Sequence, residues 1–324
     1  MIDLSTSYAG LRLKSPLVVS SSGLSDSVDR IRKMAQAGAG AVVLKSLFEE
    51  QILHEVGTME GSGYPEAADY LKAYARENNL ESYLQLIREA KAAVDIPIIA
   101  SINCVSSSEW TGFASEIQKA GADALELNIY FISLDPGKDP RVFETEYLSL
   151  VSRVKKATSL PVIVKLGREF TNIPWMVREL HLRGAAAVVL FNRFYTPDID
   201  MKDLSFVASE VLSSPSDLRF SLRWIGIVSS QVKGIDLAAS TGVHSGQAAI
   251  KQILAGARAV QVCSVLYRNG IDYLKDMTLE MKQWMEKYRH ESLKDFRGMK
   301  NYASLPDPSV YERAQFIRYY SRMH

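Results

Sequence analysis

Two segments near the end of the chain carry the residues with the clearest chemical meaning. The apolar run 235–240 leads into a glycine turn at 241–246 (TGVHSG), and the apolar run 259–262 ends in Cys263 and Ser264. A strand that enters a glycine turn and then a helix directs free backbone N–H groups toward one point. Two such turns side by side would form a cradle for an anion, and a phosphate group is a common occupant.

Polar residues also end most of the other short apolar runs of the sequence. They are Ser20, Ser21, Ser22 and Gly23, then Lys45 and Ser46, Asn103, Asn128, Lys165 and Asn192. A buried lysine without a partner costs several kcal/mol. We therefore expect Lys45 and Lys165 to meet an anionic ligand or an internal carboxylate, unless both side chains extend to water at the rim. Glu126 alternates with two leucines, and this predicts a structural salt bridge to a neighbouring strand or helix.

The elements that must position these residues are short runs rich in Val and Ile, separated by helical stretches. The predicted strands are 16–22, 40–46, 97–103, 124–128, 161–166, 186–192, 235–240 and 259–264. Near-continuous apolar character means that both faces of each strand are buried, as in a parallel sheet. The alternation of strand and helix then predicts an α/β fold, either a closed barrel or a doubly wound sheet.

A repeated Ala-Gly-Ala pattern favours the barrel. Glycines at 38, 121 and 256, and in a weaker copy at 184, are predicted to end helices in a left-handed turn just before a strand. Such recurrence indicates eight equivalent units, which is a (β/α)8 TIM barrel. In these barrels the active site lies at the carboxyl ends of the strands, and the loops after strands seven and eight often hold a phosphate.

The chain is predicted to be one domain, 1–324, with two additions to the barrel. The segment 48–95, after strand two, is predicted to be a lid-like insert over the C-terminal face, with an outer helical decoration as the alternative. A second irregular stretch, 193–218, follows strand six. Residues 269–324 are predicted to be peripheral helices outside the barrel.

Composition excludes several classes of function. A formal charge of +1, from 38 basic and 37 acidic residues, provides no field to attract nucleic acid. No apolar run approaches the length of a membrane span, and two cysteines fit a reducing cytoplasm. The five histidines are scattered, so neither a metal site nor a hydrolytic triad is expected.

Taken in order, these residues resemble the flavin-dependent dihydroorotate dehydrogenase family, in its soluble cytosolic class. The likeness runs from the opening segment 8–17 through Leu266, and its pieces are similar to motifs of the family in both order and spacing. These pieces are Ser21-Ser22-Gly23, Lys45-Ser46, Asn128, Val164-Lys165-Leu166, Asn192, Thr241-Gly242-Val243, Gly246-Gln247-Ala248 and Cys263-Ser264.

The resemblance implies an FMN-dependent oxidoreductase that acts on CH–CH bonds. The cofactor would lie across the barrel mouth, with its phosphate against Gly242 and Ser264 and its ring near Ser22, Lys45, Asn128 and Lys165. The other cofactor-binding residues that the resemblance implies are Ser21, Gly23, Ser46 and Cys263. A lysine beside the flavin N1 and C2 carbonyl would stabilise the anionic reduced ring. A small anionic substrate would be held by Lys45, Asn128, Asn192 and Arg193, and members of this class are typically homodimers.

The loop after strand four departs from the pattern of the family. The position of the family's catalytic base is Phe131 here, and a phenyl ring cannot accept a proton. Ser133 stands where a substrate-binding Asn is expected, and Glu60 and Glu66 in the insert replace amides and would repel an orotate anion. Proton transfer would then fall to another group, for which the candidates are Tyr130, Ser133, Cys104 and Ser106.

Three hypotheses remain open at this stage. The first is an FMN oxidoreductase of this family that transfers hydride between flavin and a small anionic substrate other than dihydroorotate. The second is an authentic dihydroorotate dehydrogenase of pyrimidine biosynthesis, with its base on another loop. The third is a flavin- or phosphate-binding barrel without turnover, in which Phe131 fills the substrate site.

Overall fold

The protein is represented by a computed structural model, which describes residues 2–48, 65–103, 107–194, 197–208 and 210–312. For residues 65–78, 107–109 and 208 it describes the backbone alone. Cys104 and Ser106, together with Glu60 and the side chain of Glu66, lie outside what is described.

The strands are β1 Thr6–Tyr8, β2 Leu11–Leu13, β3 Leu17–Val19, β4 Ala41–Val43, β5 Leu47–Phe48, β6 Ile98–Asn103, β7 Ala124–Asn128, β8 Val162–Leu166, β9 Ala185–Leu190, β10 Pro197–Ile199, β11 Phe206–Ala208, β12 Asp236–Ala239 and β13 Ala259–Val262. The helices are α1 Val28–Gln36, α2 Pro65–Ala93, α3 Ser107–Lys119, α4 Pro140–Ala157, α5 Ile173–Leu182, α6 Leu218–Gln231, α7 Gly246–Ala255, α8 Ser264–Asn269 and α9 Tyr273–Lys287.

Eight parallel strands close into a barrel, as the sequence predicts. Around the barrel, β3 is followed by β4, β6, β7, β8, β9, β12 and β13. The ring is complete because β13 pairs with β3 and β4 pairs with both β3 and β6. The TIM-barrel prediction is confirmed, and each predicted run overlaps one of these strands.

Glycine-ended helices place the strands as the repeated pattern predicts. Gly38, Gly121, Gly184 and Gly256 all have positive φ, between +92° and +121°. At Gly256 the backbone N–H donates to the carbonyls of both Gln252 and Ile253, so the chain turns out of α7 and enters β13. A residue with a Cβ would be strained in this conformation.

An antiparallel hairpin of β1 and β2 covers one end of the barrel. Tyr8 and Leu13 of the hairpin are fully buried and belong to one apolar cluster with inward-facing strand residues, such as Val18, Ile99 and Ile163. Because side chains alternate along a strand, the residues two positions further on also point inward. The hairpin and this apolar cluster therefore form a dry floor under the next layer of the interior.

The helices pack around the barrel. In the described half of α2, Leu84, Ile87 and Ala90 are buried, and this helix contacts α1, α3 and β6. This half of the predicted insert 48–95 is thus an outer helix of the barrel, whereas residues 49–64 of the same insert lie outside the described residues. α9 packs on α7 and α8, as expected of a peripheral helix.

The stretch 193–218 contains a small exposed hairpin of β10 and β11 rather than wholly irregular chain. In the described part of the chain, no helix is both long and apolar enough to cross a membrane.

Candidate functional site

A polar layer lies directly above the apolar floor of the barrel. Ser20, Ser101, Glu126, Lys165 and Gln261 are all buried, with at most 5% of each exposed. Each stands two positions beyond an inward-facing apolar residue, so the alternation of the strands brings them together at one level. The barrel interior thus changes from apolar to hydrogen-bonding within one layer.

Lys165 is the centre of this layer. Its Nζ donates to Ser20 Oγ and to Gln261 Oε1, both at 2.9 Å, and lies 3.8 Å from Glu126 Oε1. Gln261 Nε2 in turn donates to Glu126 Oε2 at 2.6 Å. The predicted salt bridge of Glu126 to a neighbouring strand is confirmed, and an internal carboxylate balances the ammonium group.

Two oxygen atoms of this interior lack a hydrogen-bond partner in the part of the chain that the structure describes. They are Glu126 Oε1 and the hydroxyl of Tyr8, which projects from the hairpin below. Burial, together with the charges of Glu126 and Asp236, raises the pKa of Tyr8, so its hydroxyl stays protonated. The ion pair with Lys165 is therefore the main compensation for the charge on Glu126.

Lys45 differs from the prediction of a buried lysine. β4 ends at Val43, and Lys45 lies beyond the strand with its side chain exposed. The Leu44 N–H still donates to the Ile99 carbonyl, and the chain leaves the barrel wall after this residue. The ammonium group of Lys45 is thus hydrated and needs neither an anionic ligand nor a carboxylate.

Ser46, which lies just beyond β4, links Ser21 and Ser101 by hydrogen bonds. Its hydroxyl lies 3.0 Å from Ser21 Oγ and 2.7 Å from Ser101 Oγ, and its backbone N–H donates to Ser21 Oγ. The hydroxyl of Tyr83, on α2, contacts both the N–H of Ser101 at 2.7 Å and its carbonyl at 3.0 Å. These bonds satisfy the β6 backbone at Ser101 between its pairing with β4 and its pairing with β5.

A cavity of about 430 Å³ opens above the polar layer. This volume is within the usual range for small-molecule sites. Of the predicted cofactor and substrate residues, the cavity is lined by Ser21, Ser22, Gly23, Lys165, Asn192, Arg193, Gly242, Cys263 and Ser264. Lys45, Ser46 and Asn128 do not line it, although Ser46 and Asn128 each bond to a residue that does.

One end of the cavity is formed by the glycine turn after β12 and the Cys263-Ser264 turn after β13. Gly242 has φ +79°, and a Cβ there would overlap the backbone of Leu218 at the start of α6. Its N–H donates to Ser213 Oγ at 3.3 Å, while the N–H of Ser213 donates to Ser264 Oγ at 3.0 Å. The loop before α6 therefore joins both turns through Ser213.

His244 supplies a titratable group at this end. Its Nε2 lies 3.0 Å from Ser213 Oγ. Partial burial and, to a lesser extent, the charge of Arg268 lower the pKa of His244, so the ring is neutral near pH 7. Burial raises the pKa of Cys263, so this thiol stays protonated and is a contact group rather than a nucleophile.

The predicted substrate residues Asn128, Asn192 and Arg193 form a hydrogen-bonded group near the ends of β7 and β9, the fourth and sixth strands of the barrel. Asn192 Nδ2 donates to Asn128 Oδ1 at 2.6 Å, and Asn192 Oδ1 accepts from the N–H of Arg193. The Arg193 guanidinium donates to the Val211 carbonyl at 2.7 Å and lies 3.9 Å from Asp217. Asn192 and Arg193 are thus fixed at the cavity wall by neighbouring loops.

Phe131, at the family's base position, packs away from proton-transfer chemistry. Its ring contacts the ring edge of Tyr147 on α4, with centroids 5.1 Å apart. Tyr130 stacks on Phe194, and burial, with a smaller effect from Glu169, raises the pKa of Tyr130. Ser133 is exposed. Of the proton-transfer candidates that the structure describes, Tyr130 is the one that stacks on a residue of the loop after β9.

Three residues of this site are not indicated by the sequence patterns. Gln261 stands within an apolar run, although its inward position could be deduced from alternation. Ser213 and Tyr267 also line the cavity, and no local motif indicates either of them.

Comparison with known proteins agrees with this geometry. The family model described as dihydroorotate dehydrogenase matches residues 3–285. A catalytic subunit of dihydroorotate dehydrogenase B (NAD(+)) from Thermoplasma volcanium is 29% identical over 314 residues, which cover 92% of this chain and 99% of the relative. The corresponding protein of Thermoplasma acidophilum is 28% identical over the same length and coverage. A putative dihydroorotate dehydrogenase A (fumarate) from Aeropyrum pernix is 29% identical over 307 residues, 91% of this chain and 97% of that protein.

The enzymes of this family are flavin-dependent oxidoreductases that act on CH–CH bonds. The match therefore confirms the predicted class of enzyme and favours it over the two alternatives. This chain is 25–29% identical to these and other members of the family, which agrees with a divergent member. With a closed barrel, a cavity at the carboxyl ends of its strands and a family match over nearly the whole length, the chain belongs to the dihydroorotate dehydrogenase family.

Proposed function

We propose that this protein binds FMN in the 430 Å³ cavity and uses it to oxidise or reduce a small anionic substrate. The observation that carries the proposal is the position of Lys165. Its buried ammonium group lines the cavity that also contains the Gly242 and Ser264 turns. A fixed positive charge and an anion cradle in one cavity suit a flavin with a phosphate group.

The residues present fit the phosphate of FMN. The Gly242 N–H already donates to an oxygen atom, Ser213 Oγ, and a phosphate oxygen would replace this hydroxyl once Ser213 rotated. Neutral His244 could then donate from its ring, and Cys263 makes no side-chain cap bond at the start of α8. Charge-assisted bonds of this kind contribute about 1.5–3 kcal/mol each.

FMN, when bound, would supply the two-electron chemistry. Lys165 would hold positive charge against the flavin ring, and Glu126, Gln261 and Ser20 keep the ammonium group in place. Asn192 and Arg193 would orient the substrate, because they line the cavity and Arg193 carries charge opposite to that of an anionic substrate. Lys45, being exposed, would contribute to substrate attraction at the mouth rather than to the ring site.

Tyr130 is our candidate for the proton-transfer group. A tyrosine hydroxyl holds its proton at neutral pH, so Tyr130 can donate a proton but cannot act as a base. This role favours reduction of an unsaturated substrate, and Tyr130→Phe should lower the rate of reduction without changing FMN affinity.

The relatives' names describe oxidation of dihydroorotate, and the substitution at Phe131 leads us to propose a different substrate here. The homodimer and the cytoplasmic location follow only from the resemblance and the cysteine content, and stay proposals.

The test begins with the absorbance spectrum of the purified protein and a fluorescence titration with FMN and with riboflavin. We expect FMN to bind at least about tenfold more tightly than riboflavin, since riboflavin lacks the phosphate group. The double variant Glu126→Gln/Lys165→Met should weaken FMN binding, whereas Lys251→Met, at an exposed position of α7, should not. Equal affinity for both ligands, or none for FMN, would refute the cofactor proposal.

Anaerobic reduction of the bound flavin then separates the substrates. Bleaching by dihydroorotate would assign the activity named for the relatives. Because a proton donor at Tyr130 favours reduction, we expect dihydroorotate to be inactive and a small anionic unsaturated compound to reoxidise the chemically reduced flavin. If no compound of the panel changed the flavin spectrum while FMN still bound, the protein would be a flavin-binding barrel.

A further inference from the structure

A second cavity lies at the opposite end of the barrel, where β12 and β13 begin. It has a volume of about 240 Å³ and is bounded by the end of α6, the Gly256 turn and the segment 297–301. Three of its lining residues are cationic, Lys233, Arg258 and Arg297, and none is acidic. We call it the basal cavity, and it shares no lining residue with the candidate active site.

Arg297 is the least compensated of the three cations. Its Nη2 donates to Thr6 Oγ1 at 2.8 Å, but its Nε is buried and has no hydrogen-bond partner in the described part of the chain. Burial and the nearby charge of Arg258 lower the pKa of Arg297 to about 10. A guanidinium group without a carboxylate partner in such surroundings is stabilised by a nearby anion.

One carboxylate, that of Asp236, lies beside the two arginines and forms an ion pair with Arg258. Asp236 Oδ1 lies 3.3 Å from Arg258 Nε, and Asp236 Oδ2 accepts from the N–H of Ala9 at 2.9 Å. Asp236 is thus committed to Arg258 and to the hairpin. Three cations and one carboxylate leave a net charge of +2 around the basal cavity.

Two glycine turns and an asparagine complete the wall of the basal cavity. Gly234 and Gly256 line it with φ +86° and +121°, and a Cβ at these positions would overlap His181 and Ser229 respectively, so only glycine fits there. Asn301 Oδ1 accepts from the N–H of Ser304, so its amide NH2 is the group with which Asn301 could donate to a ligand. The cationic and amide groups that face the cavity are therefore all donors.

We propose that the basal cavity binds an oxyanion of the phosphate class, held by the Arg297 and Arg258 guanidinium groups. Planar guanidinium groups match phosphate oxygens in pairs of hydrogen bonds, which a single ammonium cannot do. Because Arg297 also bonds Thr6 of the N-terminal hairpin and Arg258 pairs with Asp236 of β12, the bound oxyanion would tie the hairpin to the base of the barrel.

The experiment is a calorimetric titration of the protein, with FMN added to saturation, with inorganic phosphate at constant ionic strength. We expect saturable binding of one ion in the wild type. Arg297→Gln should weaken phosphate binding at least tenfold. Arg297→Lys retains the charge but loses the paired N–H groups of the guanidinium, so its affinity should lie between those of wild type and Arg297→Gln. Arg141→Gln is the matched control, because Arg141 is an exposed arginine at the start of α4.

Two further arms identify the ligand and separate binding at this cavity from the general effect of salt on stability. A sugar phosphate and a nucleoside monophosphate, titrated in place of phosphate, show whether the cavity prefers a free ion or an ester. The second arm compares the unfolding temperature in phosphate with that in chloride, for wild type and for Arg297→Gln. The part of the increase in phosphate that Arg297→Gln lacks is due to the bound ion rather than to the general effect of salt. The proposal is overturned if phosphate produces no saturable heat, if Arg297→Gln binds it as tightly as wild type, or if phosphate merely competes with FMN.

Discussion

The ion pair between Glu126 and Lys165 allows a sharp test of how the barrel interior is built. Both side chains are almost completely buried, 0% and 7% exposed, and their charged atoms lie 3.8 Å apart. With an effective dielectric constant of about 20, Coulomb's law gives about 4 kcal/mol of attraction at this distance. Removing one partner of a buried pair costs about 3–5 kcal/mol, because the other charge is left unpaired.

The variants are Glu126→Gln, Lys165→Met and the double variant, which change charge with little change in volume. We expect each single change to lower the free energy of unfolding by about 3 kcal/mol. The double variant should lose clearly less than the sum of the singles, with a coupling energy of at least about 2 kcal/mol, since it leaves no unpaired charge. Urea unfolding at pH 7, without added FMN, measures all four proteins.

A second pair of the same residue types provides the control. Lys119 and Glu116 lie 2.7 Å apart on α3, but their side chains are 69% and 42% exposed. The matched changes Lys119→Met and Glu116→Gln should show a coupling energy below about 0.5 kcal/mol. If the buried cycle were additive to within about 0.5 kcal/mol, the ion pair would not stabilise the interior and our account of the polar layer would be wrong.

Three further predictions concern residues around the site. Gly242→Ala should lower the free energy of unfolding by about 1–3 kcal/mol, because its positive φ and the nearby Leu218 backbone exclude a Cβ, whereas Gly112→Ala, in open space on α3, should be neutral or stabilising in the same urea assay. Tyr83→Phe should cost about 1–3 kcal/mol, because it leaves the N–H and carbonyl of Ser101 without their partner; an unchanged urea midpoint would contradict this. The lowered pKa of His244 means that the unfolded chain binds more protons than the native one, so wild-type stability should fall as pH drops below about 6.5, and His244→Asn should reduce this loss between about pH 7 and pH 5. A pH profile of unfolding that is identical in both proteins would refute the assignment.

The barrel itself was predictable from the sequence because its signals are local. Apolar runs of strand length and glycines at 38, 121, 184 and 256 depend only on neighbouring residues, and the structure bears out all of them. The Glu126 salt bridge was also predictable, since a carboxylate in an apolar strand requires a cation within reach.

The errors and omissions arise where local patterns end. Lys45 follows a run of apolar residues, but the ladder stops at Val43, and strand ends depend on pairing with distant chain. Ser213 joins Gly242 to Ser264 from a loop without a motif. Gln261 was hidden because a neutral polar residue in an apolar run gives a weaker signal than a charge does.

The distribution of the site between strands and loops is consistent with our proposal that the cofactor residues are kept while the substrate residues differ. Lys165 and Glu126 are on strands of a closed barrel, where each contact depends on several others, so substitution of either is costly. Tyr130 and Phe131 lie just beyond β7, on a loop whose residues contact α4 and the loop after β9 rather than the barrel interior. Substitutions there leave the interior intact while changing what can bind above it. The cofactor site that we propose can therefore coexist in this fold with a different substrate, as our proposal requires.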